Sequence, residues 1–407
     1  MKIFPENWEI LGANIVCSEI LDCINKTAPV VEHDTGFRMI RTTNIRNGRI
    51  DVINNRFVEE AVFNKWTRRA RLKKNDIILS REAPLGEVGL LRSDGKLFLG
   101  QRTMLYRVNP EKVDQNYLFY QMVGPYVQAV IQAKGSGSTV AHLRVPDAET
   151  LPIPIAPLPT QRKIAAILIA YDDLIETNKR RIALLETMAE ELYREWFVRM
   201  RFPGYQNTKF VKGVPEGWPQ KRFGEFCMLK RGYDLPDALV EPGQYPVIAS
   251  TSIKTFHKLF KAEPPVITTG RSGSLGQVLM THSRAWPLNT TLYVLDFLGN
   301  SAYLTFYMLK NMGLEGFNSG AGVPTLNRNH LNGLPVFVPE PNLQKEFDCI
   351  IEPLHQQAEN LRQSNVNLIQ NRDLLLPRLI SGKLPVEDLD IHFPPSMREE
   401  LAHSLPE

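Results

Sequence analysis

The 407-residue sequence has no apolar run near the roughly 18–20 residues that a membrane span needs, and its closest stretch, residues 164–170, is far too short. Its N-terminus carries Glu6 and Glu9 and lacks the apolar core of a signal peptide, so a cytoplasmic protein with no membrane partner is expected. Cysteine is scarce. Cys17, Cys23, Cys227 and Cys349 lie far apart with no C-x-x-C pair, which excludes a disulfide scaffold and predicts buried thiols. Charge of one sign is nearly lacking too: 48 basic against 44 acidic residues leave a net +4, which as a whole-chain number says little about partners. A chain that is 43% hydrophobic and 23% charged is neither disordered nor fibrous, and its length suits two or three domains.

Catalytic signatures are missing as well. There is no G-x-x-x-x-G-K-[ST] phosphate loop; residues 270–276 (GRSGSLG) are glycine-rich but hold no lysine, as suits a turn between strands. Residues 263–266 (EPPV) only faintly resemble the Asn/Asp-Pro-Pro-aromatic motif of DNA amino-methyltransferases, because the amide or aspartate and the aromatic that clamps a flipped base are absent. Residues 317–322 (FNSGAG) have no strand–helix dinucleotide unit around them. The eight histidines are scattered, with no H-E-x-x-H and no Cys/His cluster for zinc. No catalytic, cofactor or metal residue is assigned, and binding is expected rather than catalysis.

What is present is a repeat. Residues 151–164 (LPIPIAPLPTQRKI) align without a gap on 334–347 (LPVFVPEPNLQKEF). The same offset carries Ser136, Gly137, Val140 and Leu143 onto Ser319, Gly320, Val323 and Leu326. With drifting offsets, 78–88 (ILSREAPLGEV) matches 267–278 (ITTGRSGSLGQV), pairing Arg81 with Arg271; Tyr117-Leu118 matches Tyr303-Leu304; and Trp8 matches Trp218. The variable units read as α/β, with strands expected at 76–79, 88–91, 104–108, 265–268, 277–280 and 291–294 and helices at 117–130 and 302–312. Each constant unit opens on a proline-rich strand and continues as a long helix. The first is expected over 160–197, N-capped by Thr160, with Ile164, Ile167, Tyr171, Leu174, Ile182, Leu185, Met188, Leu192 and Trp196 inward. The second is expected over 343–380, with Phe347, Ile351, Leu354, Leu361, Leu368, Leu375 and Leu379 inward and a kink at Pro353. Two half-apolar rods of about 57 Å most simply bury their stripes on each other as an antiparallel coiled coil. The expected segments are 1–155, 156–205, 206–340, 341–385 and an acidic tail, 386–407.

The variable units are modestly basic, with 21 Lys/Arg against 17 Asp/Glu in 1–155 and 13 against 9 in 206–340. Residues 65–74 (KWTRRARLKK) hold six bases in ten, which suits phosphate contact or a solvated loop. Reading base edges takes Arg, Asn, Gln, Ser and Thr on loops. Such residues sit where the two copies diverge. In the first copy the candidates are Arg41, Thr42, Thr43, Asn44, Arg46, Lys65, Arg68, Arg69, Arg71, Arg81, Gln101, Arg102, Lys134 and Ser136. In the second they are Ser250, Thr251, Ser252, Lys254, Arg271, Ser272, Asn289, Thr290, Asn318 and Ser319.

In this tandem order, with its Trp8 and Gly217-Trp218 openings, the 79–89 strand-turn, the glycine-rich segments 135–143 and 319–326, the 151–164 strand-to-helix step and the closing 374–383 (LLLPRLISGK), the chain resembles the specificity subunits of type I restriction–modification systems over nearly its whole length. The resemblance implies two globular α/β target recognition domains, each binding one half of a bipartite site in double-stranded DNA. It also implies a pseudo-twofold frame, and helices that set the spacing and dock two methyltransferase subunits. It implies no cofactor in this chain, S-adenosylmethionine in the partner that methylates adenine, and ATP with Mg2+ in restriction/translocase subunits. A repeat adaptor without DNA, or a diverged DNA methyltransferase, are the alternatives.

Overall fold

The computed structural model describes residues 4–135, 141–250, 252–320 and 322–402, and for 399–402 the backbone only. The chain forms two compact units: Met1–Asn178 with Ser364–Glu407, and Lys179–Gln363.

In the first unit an antiparallel sheet runs in the order Cys17–Asp22, Thr103–Val108, Ile77–Ser80, Val88–Leu90. Its middle strands read IILS and TMLYRV and are buried along almost their whole length, as apolar runs of strand length should be. A second sheet sets Arg38–Ile40 between Arg56–Phe57 and, in parallel, Leu97–Leu99. The proline-rich Pro152–Ile155 pairs with Glu9–Gly12 in a two-stranded ribbon, where an outward-facing proline removes no ladder bond. The second unit repeats each piece: Met228–Arg231, Thr291–Asp296, Val266–Gly270, Val278–Thr281 in the four-stranded sheet; Ile253–His257, Tyr245–Ile248, Trp286–Pro287 in the three-stranded one; and Gln220–Arg222 with Pro335–Phe337 as the ribbon. All six expected strands are present, with ends shifted by no more than a couple of positions.

The repeat extends to single hydrogen bonds. Arg81 N donates to Arg102 O and Arg271 N to Thr290 O; Leu143 N donates to Arg81 O and Leu326 N to Arg271 O; Gly100 N donates to Ile40 O and Leu288 N to Ile248 O. Gln161 Oε1 accepts from Asp114 N, and Gln344 Oε1, its counterpart in the repeat, accepts from Ser301 N. These last two bonds correct one alignment. Asp114 and Ser301 are the N-caps of Gln115–Val123 and Ala302–Lys310, so Tyr117 corresponds to Leu304 and Tyr120 to Tyr307. The expected single helix 117–130 is two helices, because Gly124 is extended before Pro125, which starts Pro125–Gly135.

The first long helix is Leu158–Tyr193, continued by a π-turn at Arg194–Val198. It begins ahead of the expected cap. Thr160 lies within it and donates to Glu387 instead. The second is Pro341–Leu379, unbroken at Pro353. That proline is exposed, and the carbonyl it leaves without a helical donor belongs to Cys349, which is also exposed and so open to solvent. In the first unit the helices pair antiparallel: Arg372 meets Asp172 at 2.6 Å, and the buried Asn178 donates to Asn365 at 3.0 Å. In the second unit Arg362 meets Glu186, while Tyr193, Trp196 and Phe197 surround Phe347. The buried stripe is displaced from the expected one. Leu168, Ile169, Ile175 and Ala189 are inside, whereas Leu174 and Met188 are exposed, because each helix also faces the core of its own unit.

The last segment is no free acidic tail up to Arg398. Val386 and Met397 belong to the first unit's core, and Lys163 Nζ donates to the carbonyls of Glu387 and Leu389. Of the cysteines, Cys23 and Cys227 are buried as expected, Cys17 partly so, and Cys349 is exposed.

Candidate nucleic-acid interface

In each unit the polar loops predicted from sequence meet at one end of the four-stranded sheet, because the framework hydrogen bonds above tie them to its two central strands. In the first unit the Thr42 hydroxyl donates to Ala83 O at 3.0 Å, joining the 41–44 turn to the loop after Ile77–Ser80. Arg102 Nε lies 3.2 Å from Glu82, and Gln101 Oε1 accepts from Thr27. A β-bridge between Glu82 and His142 brings in the segment after the glycine-rich stretch. In the second unit the Ser250 hydroxyl donates to Ser272 O at 2.6 Å, Arg271 Nη1 donates to Asn289 O, and Ser272 bridges Thr325.

The candidates divide by environment. Asn44 is buried, its amide accepting from Arg41 N and donating to Asn54 O, so it shapes the turn. Arg46 folds back on Thr42 O and Ile45 O. Arg81 is buried and donates to Leu143 O. Asn318 holds its own loop by accepting from Gly320 N and Thr325 N; Ser319 donates to Thr325 O. Lys134 pairs with Asp147, and Lys134 and Arg144 together hold that carboxyl below the usual range. Lys254 pairs with Asp237, and Asn289 bonds Asp234. Arg41, Thr43, Ser252 and Thr290 complete the two rims, whereas Ser136 and Thr251 lie outside the described residues.

The basic stretch 65–74 is not one flat patch. Arg69 is tied to Asp22, Arg71 sits 5.9 Å over Phe63, and Lys65 5.6 Å over Trp66. Arg68, Lys73 and Lys74 are exposed.

Sequence reasoning missed a basic-aromatic cluster in the second unit. Lys230 and Lys261 lie 5.3 and 5.6 Å from the Tyr233 ring, and Lys261 also lies 5.1 Å from Trp286. Neither lysine has a carboxylate within 4 Å among the described residues. The Tyr233 hydroxyl bonds Tyr293 at 3.0 Å, and that bond together with the Lys230 ammonium holds the Tyr233 phenol below its ordinary range. In the first unit the ladder puts Leu21 and Leu105 where Lys230 and Tyr293 stand. Far apart along the chain, the two lysines form no visible run. Ammonium groups beside aromatic faces and free of carboxylates suit a phosphodiester backbone. Replacing Lys230 and Lys261 together with alanine should weaken DNA binding across all sequences and reduce the slope of log K against log salt by about 2, as read by fluorescence anisotropy over a salt series.

Among the described residues no group of His, Cys, Asp and Glu is placed to hold a metal ion, and no helix is long and apolar enough to cross a membrane. Residues 28–187 match the family model of the type I restriction modification DNA specificity domain. The MjaIX specificity subunit of Methanocaldococcus jannaschii, a type I restriction enzyme subunit, is 25% identical over 347 residues, 78% of this chain and 79% of that one. The chain is similar to the specificity subunits of type I restriction enzymes. Another such subunit, that of EcoBI from Escherichia coli, is 23% identical over 180 residues, covering 43% of this chain and 37% of its own. The S subunit of a type I restriction–modification system from M. genitalium has the same fold, with a TM-score of 0.58 at 18% identity over 93% of this chain and 98% of that one. The duplicated rim is the feature to explain, since the family match ends inside the first long helix while the structure repeats the matched unit.

Proposed function

We infer that this chain is the DNA sequence-specificity subunit of a type I restriction–modification complex, a recognition subunit and not the catalytic one. The observation that carries the reading is the pair of rims: the same backbone bonds, from Arg81 and Arg271 and from Leu143 and Leu326, hold different side chains, Glu82, Arg102 and His142 in one unit and Ser272, Thr290 and Thr325 in the other. One frame with two sets of readers suits two different half-sites of a split target. The subunit works with DNA and with methyltransferase and restriction subunits. Two methyltransferase subunits dock on the long helices, where Leu174, Leu184, Met188, Val366 and Leu374 stay exposed on otherwise packed rods. S-adenosylmethionine is held by those partners, and ATP with Mg2+ by the restriction subunits, in the cytoplasm where the DNA is. The helices hold the spacing between half-sites.

Mapping methylated adenines in cells that express the chain with its methyltransferase tests this. A single split motif is expected. Exchanging residues 1–150 for those of another family member should change one half of that motif only; changes in both halves contradict the assignment of one reader per unit.

A further inference from the structure

Three positions on the rims differ in chemistry while the same backbone bonds recur at both. In the first unit they are Glu82, Arg102 and His142; in the second, Ser272, Thr290 and Thr325. Each set is defined by the same bonds: a bridge between the first and third positions, and a backbone hydrogen bond from the arginine before the first (Arg81, Arg271) to the carbonyl of the second. One set holds a carboxylate, a guanidinium and an imidazole; the other is all hydroxyl.

The first set is built around an arginine fork. Arg102 occupies the left-handed region, at φ 67°, which an arginine adopts only when its surroundings hold it there. They do so through Arg81 N on its carbonyl and through its own N–H, which donates to Cys23 Sγ at 3.1 Å. Its Nε lies 3.2 Å from Glu82 Oε2, and His142 Nδ1 lies 3.4 Å from the same oxygen. The carboxylate is only 17% exposed, whereas the guanidinium is 51% exposed. The ion pair keeps the guanidinium beside Glu82, and its two terminal nitrogens have no hydrogen-bond partner among the described residues. The paired N–H donors of an arginine fork match the O6 and N7 acceptors of guanine in the major groove. The hydroxyls of Ser272, Thr290 and Thr325 carry no such fork.

We propose that positions 82, 102 and 142, with 272, 290 and 325, set the base preference of each reader, and that the first unit reads a guanine through Arg102 held by Glu82. The proposal rests on the reading of the units as DNA readers. Its test uses the full chain in complex with its methyltransferase, acting on duplexes with randomised target positions, followed by sequencing of the methylated products. The unaltered complex should prefer guanine at one position of one half-site. Arg102→Gln should reduce that preference roughly five- to a hundredfold, and the other half-site, read in the same sample, should keep its sequence, which reports an intact fold. Arg102→Lys should also lose the preference, because charge without the fork is not enough. An Arg102→Gln complex with every base preference unchanged overturns the proposal and leaves the DNA-reading function standing. Loss of preference in both half-sites also overturns it, since the residue would then be structural. An unaltered complex with no sequence preference at all overturns the underlying reading instead.

Discussion

Asp172→Ala should destabilise the first unit by about 2–4 kcal/mol, because it strands Arg372 in the helix interface. The Asp172 carboxylate accepts from Arg372 Nη1 and from the Tyr120 hydroxyl, each at 2.6 Å, and only 16% of it is exposed. Arg372 is 21% exposed and retains Asp373, itself largely in solvent, as its one remaining acid. Removing one partner of a desolvated pair costs its attraction and leaves the other charge poorly hydrated; the upper end of the range for fully buried pairs is discounted for this partial exposure. Asp172→Asn should cost less, since the amide oxygen still accepts from Tyr120. The double variant Asp172→Leu with Arg372→Leu should recover the part of the loss that comes from the stranded charge, because an apolar pair needs no charge compensation, and should keep only the cost of the Tyr120 hydroxyl losing its acceptor. Chemical denaturation followed by far-UV circular dichroism checks the order: alanine worst, asparagine intermediate, double leucine nearest the original. Equal losses for all three would show that the pair contributes packing alone.

That pair is legible in the sequence only in part. The repeat is legible, because framework residues keep their type where the backbone must keep its bonds: Arg81 and Arg271 both donate a main-chain N–H across the sheet, and Leu143 and Leu326 both close onto them. Strand positions are legible for the same reason, since their apolar runs are the core. The helix stripe is harder. A heptad reading assumes one partner, yet these helices have two, each other and the body of their own unit, so Leu168 and Ile169 are buried while Leu174 is not. Candidate residues of the two rims lie in loops that the fold brings together, but burial sorts them. Asn44 and Arg81 are engaged inside. Glu82 and His142, which anchor and flank Arg102, carry no mark in the sequence, because their roles arise from a bridge between segments far apart along the chain. The closing segment reads as a tail because its acidity is visible in sequence and the docking of Val386 and Met397 is not.

The second copy of the same helix position should make the second unit acid-sensitive. Tyr307 corresponds to Tyr120, and where Tyr120 meets Asp172, Tyr307 meets His355, the counterpart of Asp172 in the repeat, at 2.8 Å. The position equivalent to Arg372 is Ala189, which brings no charge to the imidazole. His355 is instead enclosed by Tyr303, Phe306 and Tyr307, with His282 beyond. Burial, followed by His282, Arg362 and Lys310, pushes its pKa down from 6.5 to about 4. A histidine depressed in the folded state is neutral there while the unfolded chain takes up a proton. Its contribution is therefore complete above pH 6.5 and is lost as the pH falls toward 4, on the order of 2–3 kcal/mol in all. Asp348, raised by burial, opposes this in part, because it gains protons in the folded state as the pH falls. Three of the five tryptophans, Trp196, Trp218 and Trp286, lie in the second unit. Urea unfolding followed by their fluorescence at pH 7 and pH 5 should therefore show a larger fall in midpoint for the original chain than for His355→Gln, whose side chain cannot titrate. A fall of the same size in both would place the acid sensitivity elsewhere. One helix position thus carries an ion pair in one unit and a neutral ring in the other, and the ring makes the second unit lose stability as the pH drops.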